Sequence, residues 1–86
     1  MPEISRFFGI VIRMFFDDHP PQHLHAYYGE QAALVALQPI AVIESDLSTR
    51  ALSMVLEWTA LHQAELLENW DRLHSARPAV KVAPLT

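Results

Sequence analysis

The sequence predicts an α+β domain, a four-stranded antiparallel meander with one long C-terminal helix packed on one face. Two observations predict it. Between Phe7 and Glu44, short apolar runs rich in β-branched and aromatic residues alternate with breaks marked by Gly, Pro and Asp. From about Thr49 to Ala76 the apolar period lengthens to steps of three and four. With 86 residues there is room for a single domain, placed at residues 1–78, with residues 79–86 as a C-terminal tail that pairs weakly at a sheet edge or stays loose.

The first strand is read over Phe7–Phe16. Side chains alternate across a strand, so Phe8, Ile10, Ile12, Met14 and Phe16 form a core face, and Phe7, Gly9, Val11, Arg13 and Phe15 form the other. Asp17-Asp18-His19-Pro20-Pro21-Gln22 breaks the run, because each proline lacks an N–H and constrains its predecessor. His23–Tyr28 then alternates again, with Leu24, Ala26 and Tyr28 on one side and His23, His25 and Tyr27 on the other. In an antiparallel hairpin, opposed residues share a face. Parity therefore places His23, His25 and Tyr27 with Arg13 and Phe15, and sets Arg13 opposite either His25 or Tyr27.

Gln31–Leu37 follows a glycine turn and precedes Gln38-Pro39, which favours a third strand over a helix; Ile40–Glu44 is the fourth. Ser45-Asp46-Leu47-Ser48 is rich in helix N-cap residues. Beyond it, Leu52, Val55, Thr59, His62, Leu66, Trp70 and Leu73 define one buried stripe, widened by Met54, Trp58 and Leu61 on one side and Leu56, Ala60 and Leu67 on the other. His62 reads as a core histidine and His74 as a solvated one, and Pro78 ends the helix.

Composition narrows the function classes. The chain has no cysteine, which excludes disulfides and thiolate metal sites. Its formal charge is −4 and it has a single lysine, so binding of nucleic acid through phosphate charge is disfavoured. No apolar run approaches the roughly 20 residues of a membrane helix, and the N-terminus lacks a signal-peptide pattern. A cytoplasmic protein without a membrane anchor is expected. One helix covers one sheet face, so Phe7, Val11 and Phe15 on the other predict a homodimer or a small protein partner, using either this face or the broad apolar girth of the helix.

The chemistry concentrates at Asp17–His25, which holds three of the five histidines. Three readings of it stay open. In the first, His23 and His25 project from one side of a strand as ligands to a divalent metal such as zinc, with His19, Asp17 or Glu30 completing the set. In the second, Arg13 holds an anion while His23 and His25 transfer protons, as in a small ribonuclease-like hydrolase. In the third, the polar groups only stabilise the turn. His23-x-His25-x4-Glu30 is also similar to the first cupin metal motif, although no second motif follows. His23-Leu24-His25-Ala26-Tyr27 falls one histidine short of the histidine-triad hydrolase signature.

Pro2-Glu3-Ile4-Ser5-Arg6-Phe7, Gly9-Ile10-Val11-Ile12-Arg13-Met14 and His19-Pro20-Pro21-Gln22-His23-Leu24-His25-Ala26 closely resemble the small bacterial domain-of-unknown-function 4160 family. Arg50-Ala51-Leu52, Val55-Leu56-Glu57-Trp58 and Leu61-His62 through Glu65-Leu66-Leu67-Glu68-Asn69-Trp70 extend the resemblance through the helix. Leu24 stands where members often carry an aromatic residue, and Ser48 where they often carry a proline. The resemblance implies a small cytoplasmic protein, often encoded beside another in an arrangement similar to toxin–antitoxin pairs, and it brings no catalytic assignment. The resulting expectation is an interaction protein, one member of a toxin–antitoxin-like pair, with the histidine hairpin as its ligand or partner site. The alternative is a metal-dependent or His/Arg-based hydrolase acting on RNA or a nucleotide. Whether the chain is an enzyme stays open.

Overall fold

A computed structural model describes residues 3–86. Five strands follow in order, β1 (Glu3–Phe7), β2 (Ile10–Arg13), β3 (His23–Tyr28), β4 (Gln31–Leu37) and β5 (Ile40–Ser45). Each pairs antiparallel with the next, giving the expected meander with one strand more than expected. Two helices complete the chain, α1 (Thr49–Leu61) and α2 (Gln63–His74).

The additional strand arises at Phe8-Gly9. Both residues have positive φ, 50° and 81°, which is the backbone of a two-residue hairpin turn whose twist matches the flanking strands. A lone glycine inside an apolar run gave little sign of a reversal, and phenylalanine is an uncommon occupant of this region. The reversal sets Phe7 opposite Ile10, so Phe7 is buried on the core face, against the expected parity. Phe8 at the turn tip and Phe16 beyond β2 are exposed, also against expectation, while Ile10, Ile12 and Met14 are fully buried as expected.

The long helix is divided at His62, whose φ of −120° and ψ of 22° leave the helical region. Its N–H is shared between the carbonyls of Trp58 (3.1 Å) and Thr59 (3.3 Å). One turn earlier, Thr59 Oγ1 donates to the Val55 carbonyl at 2.7 Å, a back-bond that bends helices. Gln63 Nε2 then donates to the Leu37 carbonyl at 2.6 Å and fixes the start of α2 to the end of β4. The bend turns Leu61 to solvent, where a single straight stripe would have buried it. Ser48 caps α1, its Oγ accepting from the Ala51 N–H at 3.1 Å.

Ile10, Ile12, Leu24, Ala26 and Val35 line the covered sheet face, and Val55, Trp58 and Leu66 from the helices bury them. The Trp58 ring packs 5.3 Å from that of Phe7. The C-terminal segment is held against this assembly. The Val82 N–H donates to the Ile4 carbonyl at 2.9 Å, Trp58 Nε1 to the Ala83 carbonyl at 2.8 Å, and the buried Asn69 exchanges two 2.8 Å bonds with the Val80 backbone. Among the described residues, no helix is long and apolar enough to cross a membrane.

Candidate metal centre on the open sheet face

β2 and β3 pair with Val11 opposite Tyr27 and Arg13 opposite His25. Arg13, His23, His25 and Tyr27 thus share the face turned away from the helices, and Arg13 takes the first of its two expected positions. Phe15 closes one side, its ring meeting that of His25 edge-on at 4.6 Å.

Asp18 reaches back from the β2–β3 turn to join the two histidines. Its Oδ2 lies 2.8 Å from His25 Nε2 and 3.4 Å from His23 Nε2. One ligand atom from each of the three residues falls within 4.8 Å of the others. Their side chains keep 20%, 11% and 19% of their exposure, enough for an ion to enter and little enough to reduce its hydration. The sequence reading named His19, Asp17 or Glu30 to complete the metal set and did not include Asp18. The turn geometry, closed by an Asp18 N–H to Phe15 carbonyl bond of 3.3 Å, makes it the carboxylate of the group. His19, expected as the third metal ligand, is exposed and outside the cluster, as are Asp17 and Glu30.

The supporting bonds fix how each imidazole presents itself. His23 Nδ1 lies 2.7 Å from the Pro21 carbonyl, which can only accept, so Nδ1 carries the proton. In the neutral ring the lone pair is then on Nε2, facing Asp18. His25 Nδ1 is 3.4 Å from Tyr27 Oη, and its ring stacks near that of Tyr27 at 6.2 Å. The Arg13 guanidinium carbon lies 5.8 Å from the Tyr27 ring centre.

Helix α2 also reaches the cluster, so the open face is not wholly free of helix. Trp70 sits 5.4 Å from His23, and His74 stacks on Trp70 at 4.2 Å. His74 Nδ1 contacts the Trp70 carbonyl and its Nε2 the Asp18 carbonyl, both at 2.8 Å. Engaging two acceptors requires both ring N–H groups and hence the imidazolium. The carbonyl of Asp18, then that of Trp70, accordingly raise the His74 pKa above its ordinary value. His74 therefore clamps the turn that carries Asp18, a role the sequence reading missed when it left this residue in solvent. The one available signal was the Trp70/His74 spacing of four at the end of a helix. His62 makes a 2.6 Å bond to Glu65 at the helix bend and takes no part in the cluster.

The family model for the domain of unknown function DUF4160 matches residues 9–71. The chain belongs to the DUF4160 family. The matched span contains β2 to β5, the whole Asp18–His23–His25 cluster and α2 as far as Asp71. Comparison with curated proteins finds no match, and comparison with solved structures finds none either.

Proposed function

We propose that this DUF4160 domain is a small divalent-metal-binding module in which Asp18, His23 and His25 hold a zinc-class first-row ion. The convergence of His23 and Asp18 carries this reading. With Nδ1 committed to the Pro21 carbonyl, a neutral His23 directs a lone pair at a carboxylate oxygen 3.4 Å away. Two electron-rich atoms so placed repel unless a proton or a metal cation lies between them, and a metal ion would meet His25 Nε2 as well. Zinc ligands at about 2.0–2.2 Å from the ion stand roughly 3.3 Å apart at tetrahedral angles, which the 3.4 Å between Asp18 Oδ2 and His23 Nε2 already matches, while the 2.8 Å hydrogen bond from His25 Nε2 would open by about half an ångström on metal binding. The Pro21 carbonyl orients His23 as carbonyls orient metal-bound imidazoles. His25 would ligate through Nε2, its proton moving to Nδ1, where Tyr27 Oη can accept it.

Two histidines and a carboxylate leave at least one coordination position for a further ligand. We place the interaction role here as well, with a homodimer or a small protein partner meeting the open face around the cluster. Toxin–antitoxin-like pairing and hydrolysis of RNA or a nucleotide would both use this face, and metal binding is the simpler reading that comes before either.

Elemental analysis of the protein purified without a histidine tag tests it, together with thermal melts in added zinc. The expected result is one ion per chain. Zinc at about 100 times Kd should add roughly 2.7 kcal/mol, an upward Tm shift on the order of 10 °C in a domain of this size. Metal-free protein whose melting temperature ignores zinc, cobalt and manganese overturns the proposal.

A further inference from the structure

We infer that Arg13 is the receptor for an oxyanion that takes the open coordination position of this metal, so that the site binds a phosphate or carboxylate group jointly through the ion and the guanidinium. The inference rests on the metal reading above and extends it to the class of ligand.

Arg13 is paired directly opposite the metal ligand His25, and opposed side chains on one sheet face stand about 5 Å apart at Cβ. Its Nε is buried, and among the described residues it meets no hydrogen-bond acceptor. A buried guanidinium nitrogen without an acceptor is costly and usually signals a missing partner. Glu3 on β1 is paired opposite Arg13. The Glu3 carboxylate is already engaged by Arg6, at 2.8 Å to Nη2 and 3.3 Å to Nε, and this bond is the main reason its pKa is lowered, the charge of Arg13 contributing last among the causes. The other ion-paired arginine, Arg72, is matched to Glu68 on its own helix. Among the described residues, Arg6 and Arg72 thus each engage a carboxylate, whereas Arg13 Nε engages no acceptor.

Charge accounting leads to the same ligand. A dication bound by two neutral imidazoles and one carboxylate retains a net charge of +1, and Arg13 adds another. Two positive centres on one sheet face repel, and an anion between them would remove the repulsion while supplying acceptors to both. Guanidinium favours oxyanions because its fork of N–H donors matches two oxygens at once. The Arg13 guanidinium carbon lies over the Tyr27 ring, 5.8 Å from its centre, a cation–π contact that helps hold the group on this face. A shallow depression of about 110 Å³ beside His25 and Tyr27 lies on the β4–β5 side, where Glu44 lines it, so an anion would approach from the Arg13 side instead.

Cobalt-substituted full-length protein provides the test, because its visible absorption reports the inner ligands directly. Inorganic phosphate and acetate are titrated separately to distinguish a phosphate from a carboxylate ligand. The expected result is a saturable spectral change with at least one of them. Arg13→Gln should retain the cobalt spectrum and weaken the anion response by roughly tenfold or more, as loss of a charge-assisted bond implies. Arg13→Lys should fall between the two, and Arg50→Gln, the same loss of charge at the start of α1, should match the parent. A cobalt spectrum that ignores both anions overturns the inference and leaves the metal site standing, as does an equal response in the parent and Arg13→Gln. Absence of any cobalt spectrum overturns the metal reading and this inference with it.

Discussion

The two faces of the meander are built from alternate residues of the same strands and have opposite character. On the covered face Ile12, Ala26 and Ala33 lie side by side across β2, β3 and β4, all buried beneath helices that also bury Trp58 and Leu66. One residue along each strand, Arg13, His25 and Leu34 form the corresponding row on the open face, all half-exposed. The covered face gains its stability from apolar area removed from water, whereas the open face concentrates hydrogen-bonding groups that a packed interior would have to neutralise. Burial on one side therefore leaves the other free to hold imidazoles in a fixed arrangement without placing them in the core.

If this division holds, substitutions on the two faces should separate cleanly. The largest effect is expected for Trp58→Ala, which removes a fully buried indole, its packing on Phe7 and its bond to the Ala83 carbonyl. A loss of about 3–5 kcal/mol is expected from large-to-small changes of this kind, measured by urea unfolding. A loss under about 1 kcal/mol would mean that the helices contribute little to the core. The paired change His23→Ala with His25→Ala should lower stability in metal-free buffer by only about 1–2 kcal/mol, the cost of a few partly exposed hydrogen bonds. It should also abolish any stabilisation by zinc. A loss equal to that of Trp58→Ala would show the open face to be a second core.

The smallest effect belongs to His74, which is solvent-exposed yet ties α2 to the turn between β2 and β3. Its folded-state pKa is raised, so its contribution is fully present below the unfolded value of about 6.5 and is lost as pH rises through the folded value. The difference in Tm between the parent and His74→Ala should therefore be larger near about pH 5.5 than near about pH 9. A pH-independent difference would mean that the ring acts by packing on Trp70 alone.

The α+β class, the antiparallel meander order and the face shared by Arg13, His23, His25 and Tyr27 were legible in the residue pattern. Within a regular strand, alternation with a period of two is imposed by the backbone, and it held from Ile10 to Arg13 and from His23 to Tyr27. It also determined that His23 and His25 lie on one side of β3, the minimum for two ligands to one ion. Tertiary structure decided the rest. The Phe8-Gly9 reversal needed a residue other than glycine at positive φ, which periodicity does not register, and it moved Phe7 to the core. The bend at His62 coincides with the Thr59 back-bond to Val55 and is tied to the sheet by Gln63 donating to the Leu37 carbonyl 26 residues away in sequence. Asp18 displaced His19 as the third member of the cluster because the turn, clamped from α2 by His74, directs one side chain inward and leaves its neighbour in solvent. Local pattern fixes which way a strand residue points. The direction of a turn residue is set by whatever packs against the turn, and here that partner lies 56 residues away along the chain.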